Sequence, residues 1–125
     1  MKKLELACPC GSGKPYAHCC GPLHAGEPAA SAEALMRSRY SAFALNLPDY
    51  LLASWHPSTR PADLTEEGPA PRWIGLKVLA AASAGDAASV EFVATCRVGG
   101  RAQRLHEKSR FVLEDGRWYY VDGEF

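Results

Sequence analysis

No sign of charge dominates this sequence. Fourteen lysines and arginines balance fourteen aspartates and glutamates, and the isoelectric point lies near 6.9. A broad electrostatic pull toward nucleic acid or an anionic membrane is therefore missing, and nucleic acid is not an expected partner. No apolar run is long enough to span a bilayer, so no membrane role is expected. Met1-Lys2-Lys3-Leu4 is a positive start with no apolar stretch behind it. A secretory signal is not expected, and the cytoplasm is the expected location. Beyond the first twenty residues there is one cysteine, Cys96, so no disulfide framework can staple distant segments. The composition that remains is globular, with 47% apolar and 22% charged residues in a chain of 125. That length suits one domain with a short appendage.

Four of the five cysteines fall within thirteen residues, as Cys8-Pro9-Cys10 and Cys19-Cys20. Such clustering in a short segment favours a metal over disulfides. A bond between neighbours Cys19 and Cys20 would be strained. So short a glycine-rich stretch has no core of its own in which to bury free thiols. Zinc takes four tetrahedral ligands and favours thiolate and imidazole, so Cys8, Cys10, Cys19 and Cys20 are the expected ligands. Iron fits the same sulfur-rich set. His18 competes for the fourth place and is read instead as exposed or as a neighbour of the ligands. Gly11-Ser12-Gly13 supplies the chain reversal, which leaves no separate phosphate-cradling loop. Lys14 to Cys20 is expected to form a short helical turn that Gly21-Pro22 ends.

His24 to Ser31 is rich in Gly, Pro and Ala and reads as a linker. The expected division is a knuckle over 1–23, a linker over 24–30 and a larger domain over 31–125. Ser31 followed by Glu33 and Ala-Leu-Met signals a helix start, and Met36, Tyr40, Phe43 and Leu47 recur at helical spacing. A second short helix is expected from Pro48 to about Trp55, ended by His56-Pro57. Four prolines over 57–71 mark a long surface loop. From Arg72 onward, Gly85-Asp86, Gly99-Gly100 and Asp115-Gly116 divide the chain into four strands, near 72–82, 88–98, 101–114 and 117–122. Helices on one face of this antiparallel meander make an α+β domain.

Tight two-residue turns also predict a register. Phe92 should pair with Glu107, Val90 with Ser109, and Ser109 with Asp122. One face then carries Trp73, Leu79, Val90, Phe92, Ala94, Cys96, Leu105, Phe111, Leu113, Trp118 and Tyr120, which the helices should cover. Lys77, Glu107, Ser109 and Asp122 are its polar intruders. Ile74, Leu76 and Val78 fall on the opposite, polar face unless the first strand carries a bulge. Cys96 reads as a small core residue. The intruding acids allow two readings: a ligand pocket with Tyr40, Trp55, Glu107, Ser109, Trp118 and Asp122 around it, or a buried ion pair with Lys77, Arg37 or Arg39. No nucleophile pairs with His56 or His106, and no catalytic residue is assigned.

The segment C-P-C-G-S-G-K-x-Y-x-x-C-C-G resembles the SEC-C motif, found at the end of the SecA translocation ATPase and in small bacterial proteins. Further along come Leu35-Met36-Arg37-Ser38-Arg39-Tyr40, Trp55-His56-Pro57, Glu107 with Ser109-Arg110-Phe111, and Trp118-Tyr119-Tyr120 with Asp122-Gly123. Together these resemble the YchJ family. The resemblance implies a nuclear-transport-factor-2-like cone closed by a curved sheet, and a family without an established activity. It also implies docking on a protein partner, a secretion chaperone or a ribosome, through the knuckle with Lys2, Lys3 and Lys14 at the contact. The alternative is a small-molecule binder or enzyme acting through the cone. Longer members carry a second SEC-C motif after the sheet; this sequence stops at Phe125, and one knuckle is expected.

Overall fold

A computed structural model describes residues 6–64 and 71–125. A 3-10 turn at Tyr16–His18 leads into a short helix α1, Cys20–His24. Helix α2 spans Ala32–Leu45 and α3 spans Pro48–Ala53. Four strands follow: β1 Arg72–Ala84, β2 Ala87–Val98, β3 Arg101–Glu114 and β4 Arg117–Glu124. They form one antiparallel sheet in the order β1-β2-β3-β4. Helices lying on a four-stranded antiparallel sheet are the arrangement that the resemblance implied.

Local chemistry sets these boundaries. Ser31 caps α2, its hydroxyl accepting from the Ala34 amide at 3.1 Å, and a Glu33–Arg37 pair spans the first turn. Asn46 ends the helix in the left-handed region at φ 58°. Pro48 opens α3, where its missing amide hydrogen costs nothing. Gly21 and Pro22 do not stop the first helix as expected; they lie inside α1, where a first-turn proline is tolerated.

The three hairpin turns fall where the sequence places them. Gly99-Gly100 and Asp115-Gly116 carry positive φ at both central residues, the twist that two-residue hairpins favour. Phe92 faces Glu107 and Val90 faces Ser109, as the register predicts. Bulges then correct the rest. In β1, Ile74 and Leu79 are each skipped by the pairing, so Leu76 meets Ala94 and Val78 meets Phe92 on the core face. Ile74 and Leu79 are left 46% and 45% exposed. Leu79 therefore does not join the apolar face, and Lys77, opposite Val93, sits on the outer one. In β4, Val121 is skipped, so Ser109 faces Gly123 and Arg110 faces Asp122. Asp122 is turned out of the core by that single extra residue.

α2 lies across the sheet and touches β1, β2 and β4. Between them, Leu35, Met36, Tyr40, Val90, Phe92, Ala94 and Phe111 are buried. Each large apolar side chain so placed contributes about 1.5–3 kcal/mol. The same buried cluster continues without a break into Cys8, Cys10 and Cys20. The segment read from sequence as an appendage is packed against the core. His24, read as the first linker residue, is one reason: its Nε2–H donates to the Ser38 carbonyl at 2.8 Å, leaving Nδ1 to accept from the Tyr16 hydroxyl at 2.6 Å.

Candidate metal centre and ligand cavity

The first site is a small reversal of chain. Cys8 N–H donates to the Lys14 carbonyl at 2.9 Å and Tyr16 N–H to the Leu6 carbonyl at 2.8 Å. Gly11 and Gly13 turn the chain between them with φ of 77° and 85°, angles costly for any other residue. This brings Cys8 and Cys10 against Cys19 and Cys20. All four sulfurs lie within 4.8 Å of one another, Cys10 and Cys19 at 3.6 Å, Cys19 and Cys20 at 3.9 Å. A tetrahedral ion with bonds of about 2.3 Å sets its sulfurs about 3.8 Å apart. The spacing fits one metal ion and not a disulfide, and all four cysteines are free thiols.

The electrostatics point the same way. Hydrogen bonding from Cys20, then from Ser12 and Cys19, pulls the Cys10 thiol well below its usual range against the opposing effect of burial. Cys20 is pushed up, first because it donates to Cys10 and then by burial; Cys19 is pushed up mainly by burial. Hydrogen bonds alone thus support one thiolate among thiols, and a bound cation would favour the thiolate form of the others. Helix α2 supplies the surroundings. Ser41 lies 3.3 Å from Cys20 Sγ and 3.5 Å from Cys8 Sγ, and Arg37 Nη1 donates to the Cys10 carbonyl at 3.0 Å. His18 is exposed and outside the cluster. Lys14 is exposed, while Lys2 and Lys3 lie outside the described residues.

The second site is a cavity of about 310 Å³ between α2 and the inner face of the sheet. Of the residues expected at a pocket, Tyr40, Trp55, Glu107 and Ser109 line it. Trp118 and Asp122 do not. Trp118 packs against the edge of the core and lines a different hollow, with Gly26 and Asp49, and Asp122 pairs outside with Arg110 at 2.6 Å because of the β4 bulge. The wall is mostly apolar and aromatic, with Met36, Phe43, Trp73, Phe92 and Phe111 prominent.

Glu107 is only 7% exposed. Its Oε2 accepts from the Ser109 hydroxyl at 2.6 Å and from the Tyr120 hydroxyl at 3.2 Å. Gly123, opposite Ser109, leaves room for the carboxylate; a side chain there would collide with it. The ion pair expected with Lys77, Arg37 or Arg39 is not formed among the described residues. Arg39 instead lies over the Tyr120 ring at 4.4 Å and the Trp55 ring at 5.1 Å, and its Nη1 donates to the Leu51 carbonyl and the Ser54 hydroxyl. Burial lowers Arg39 to about 10, and it remains a cation at neutral pH. Burial, and then the Glu107 charge, raise the Tyr120 hydroxyl, which keeps it a donor. Sequence reasoning missed Arg39 as part of the pocket wall; its place at helical spacing beside Met36 and Tyr40 was the available signal. It read His24 only as the first linker residue, and no local pattern marks its contacts with Tyr16 and Ser38.

Residues 7–22 match the SEC-C motif, and residues 31–123 match the family described as YchJ, middle NTF2-like domain. A UPF0225 protein of Chromobacterium violaceum is 57% identical, over 98% of this chain and 95% of its own length. A UPF0225 protein of Bordetella pertussis is 54% identical over 99% and 98%. The solution structure of a SEC-C motif containing protein from Rhodopseudomonas palustris is similar with a TM-score of 0.84 and 43% identity, covering 95% of this chain and 98% of that one. A crystal structure of a SEC-C motif containing protein from Psychrobacter arcticus gives 0.77 and 31%, over 93% and 80%.

Proposed function

The chain belongs to the YchJ family, and from that premise we propose that it is a small-molecule-binding protein of the cytoplasm. The cone cavity takes the ligand, and a zinc ion on Cys8, Cys10, Cys19 and Cys20 fixes the helix that walls it. The observation that carries this reading is a cavity of about 310 Å³ whose apolar wall holds a buried carboxylate and a buried guanidinium without pairing them. Both groups are already out of bulk water, so holding them apart forgoes the mutual attraction that a low-dielectric interior strengthens. Four sulfur ligands close the zinc to water and substrate, so its role is structural. The four sulfurs would hold the ion, and Ser41 and Arg37 would orient two of the ligating segments. No reaction is assigned.

The test is a fragment screen of the full metal-loaded chain by amide NMR. Binders should shift the amides of Tyr40, Phe92, Glu107 and Tyr120. Ala94→Trp, which fills the cavity, should abolish those shifts. A screen in which nothing moves these residues would contradict the reading.

A second reading is docking through the knuckle onto a secretion chaperone or a ribosome. It is favoured by the exposure of Lys14, Ala17 and His18 on the knuckle. Co-sedimentation with ribosomes and binding to purified SecB would test it. Equal binding by wild type and Lys14→Glu/His18→Glu protein would sink it.

A further inference from the structure

We infer that the cavity takes a small neutral molecule, mostly apolar, that offers one hydroxyl or N–H donor to Oε1 of Glu107. The inference rests on the cavity being a ligand site. Its first support is the unequal use of the carboxylate. Oε2 accepts from both Ser109 and Tyr120, while Oε1 accepts from no group among the described residues. Yet among the described residues no buried side-chain nitrogen or oxygen lacks a partner. Oε1 therefore keeps some accessible surface, and the cavity is the space that Glu107 lines. A carboxylate oxygen only accepts, so the ligand must donate.

Charge gives the second support. Arg39 and Glu107 border the same cavity and carry opposite charges. Tyr120 stands between them, its ring under the Arg39 guanidinium and its hydroxyl on Glu107. The two charges cancel without touching. A ligand of either sign would bring an uncompensated charge into an apolar enclosure, at a large desolvation cost. The remaining wall, including Met36, Phe43, Phe92 and Phe111, rewards apolar surface alone. The volume lies at the small end of the roughly 300–1,000 Å³ usual for ligand pockets.

Three naphthalene probes of similar size separate the possibilities by calorimetry and amide NMR on the full metal-loaded chain: 2-naphthol, 2-methoxynaphthalene and 1-naphthylmethylammonium. The expected result is that 2-naphthol binds at least tenfold tighter than the other two and shifts Tyr40, Phe92 and Tyr120. Glu107→Gln, checked for native melting, should reduce the preference for 2-naphthol over 2-methoxynaphthalene below threefold. Should that variant fail to fold, the wild-type comparison decides alone. Equal or tighter binding of the ether or the ammonium by wild type would overturn the ligand class while leaving the cavity as a binding site. A preference that survives in folded Glu107→Gln protein would overturn the role of Oε1. If none of the three probes shifts these residues, the cavity reading fails and the inference with it.

Discussion

The Ser41 hydroxyl donates to Sγ of Cys20 across 3.3 Å, and so fastens the middle of helix α2 to the four-cysteine cluster. The same hydroxyl lies 3.5 Å from Cys8 Sγ. Groups that hold metal ligands in place commonly govern affinity by ten- to a hundredfold. Ser41→Ala is expected to weaken metal binding roughly tenfold. Competition against a chromophoric chelator measures this. Unchanged affinity would mean that Ser41 merely fills space.

Metal removal should reach beyond the knuckle. Cys8, Cys10 and Cys20 share one buried cluster with Leu35, Met36 and Val90. A ligand present at a hundred times its dissociation constant stabilises by about 2.7 kcal/mol. For a domain of this size that amounts to roughly 10 °C. Scanning calorimetry with and without chelator should show one cooperative transition that moves down by about this much. An unmoved transition for the sheet would restore the knuckle as a loose appendage.

Gly123 admits the Glu107 carboxylate. A methyl group at position 123 would overlap that carboxylate. Gly123→Ala is expected to cost about 1–3 kcal/mol, the usual range for overpacking. Urea unfolding reads the change. An unaltered midpoint would show that the carboxylate is not held against β4.

Asp122 supplies a pH signature outside the cavity. The Arg110 guanidinium, 2.6 Å from Oδ1, holds its carboxyl below the usual range. A depressed folded value means the contribution is complete above the unfolded value of about 3.9. It is lost as pH falls through the lower folded value. Both side chains are about half exposed, so the effect is small. Urea midpoints of wild type and Asp122→Asn should differ slightly near neutrality and converge at the acid end. A gap that widens on acidification would contradict the pair.

What was legible in the sequence follows from how local each signal is. The four ligand positions lie within thirteen residues, so their spacing carried the site. Hairpin turns are equally local, and Gly99-Gly100 and Asp115-Gly116 gave the correct pairing of Phe92 with Glu107. The bulges at Ile74, Leu79 and Val121 were not local. Each depends on which face the helices cover, and each shifts every later residue to the other side. The run Ile74, Leu76 and Val78 on a supposedly polar face was the one symptom. No such symptom marked Val121, so Asp122 was placed inward in error. Docking of the knuckle on α2 relies on His24, Ser38 and Ser41, whose contacts join residues 14 to 33 positions apart.

The most direct measurement is X-ray absorption at the metal edge of the purified chain, with the metal quantified in the same sample. One zinc per chain is expected, with a single shell of four sulfurs at about 2.3 Å. A shell containing nitrogen or oxygen, or a chain that carries no metal after purification without chelators, would contradict the four-thiolate centre.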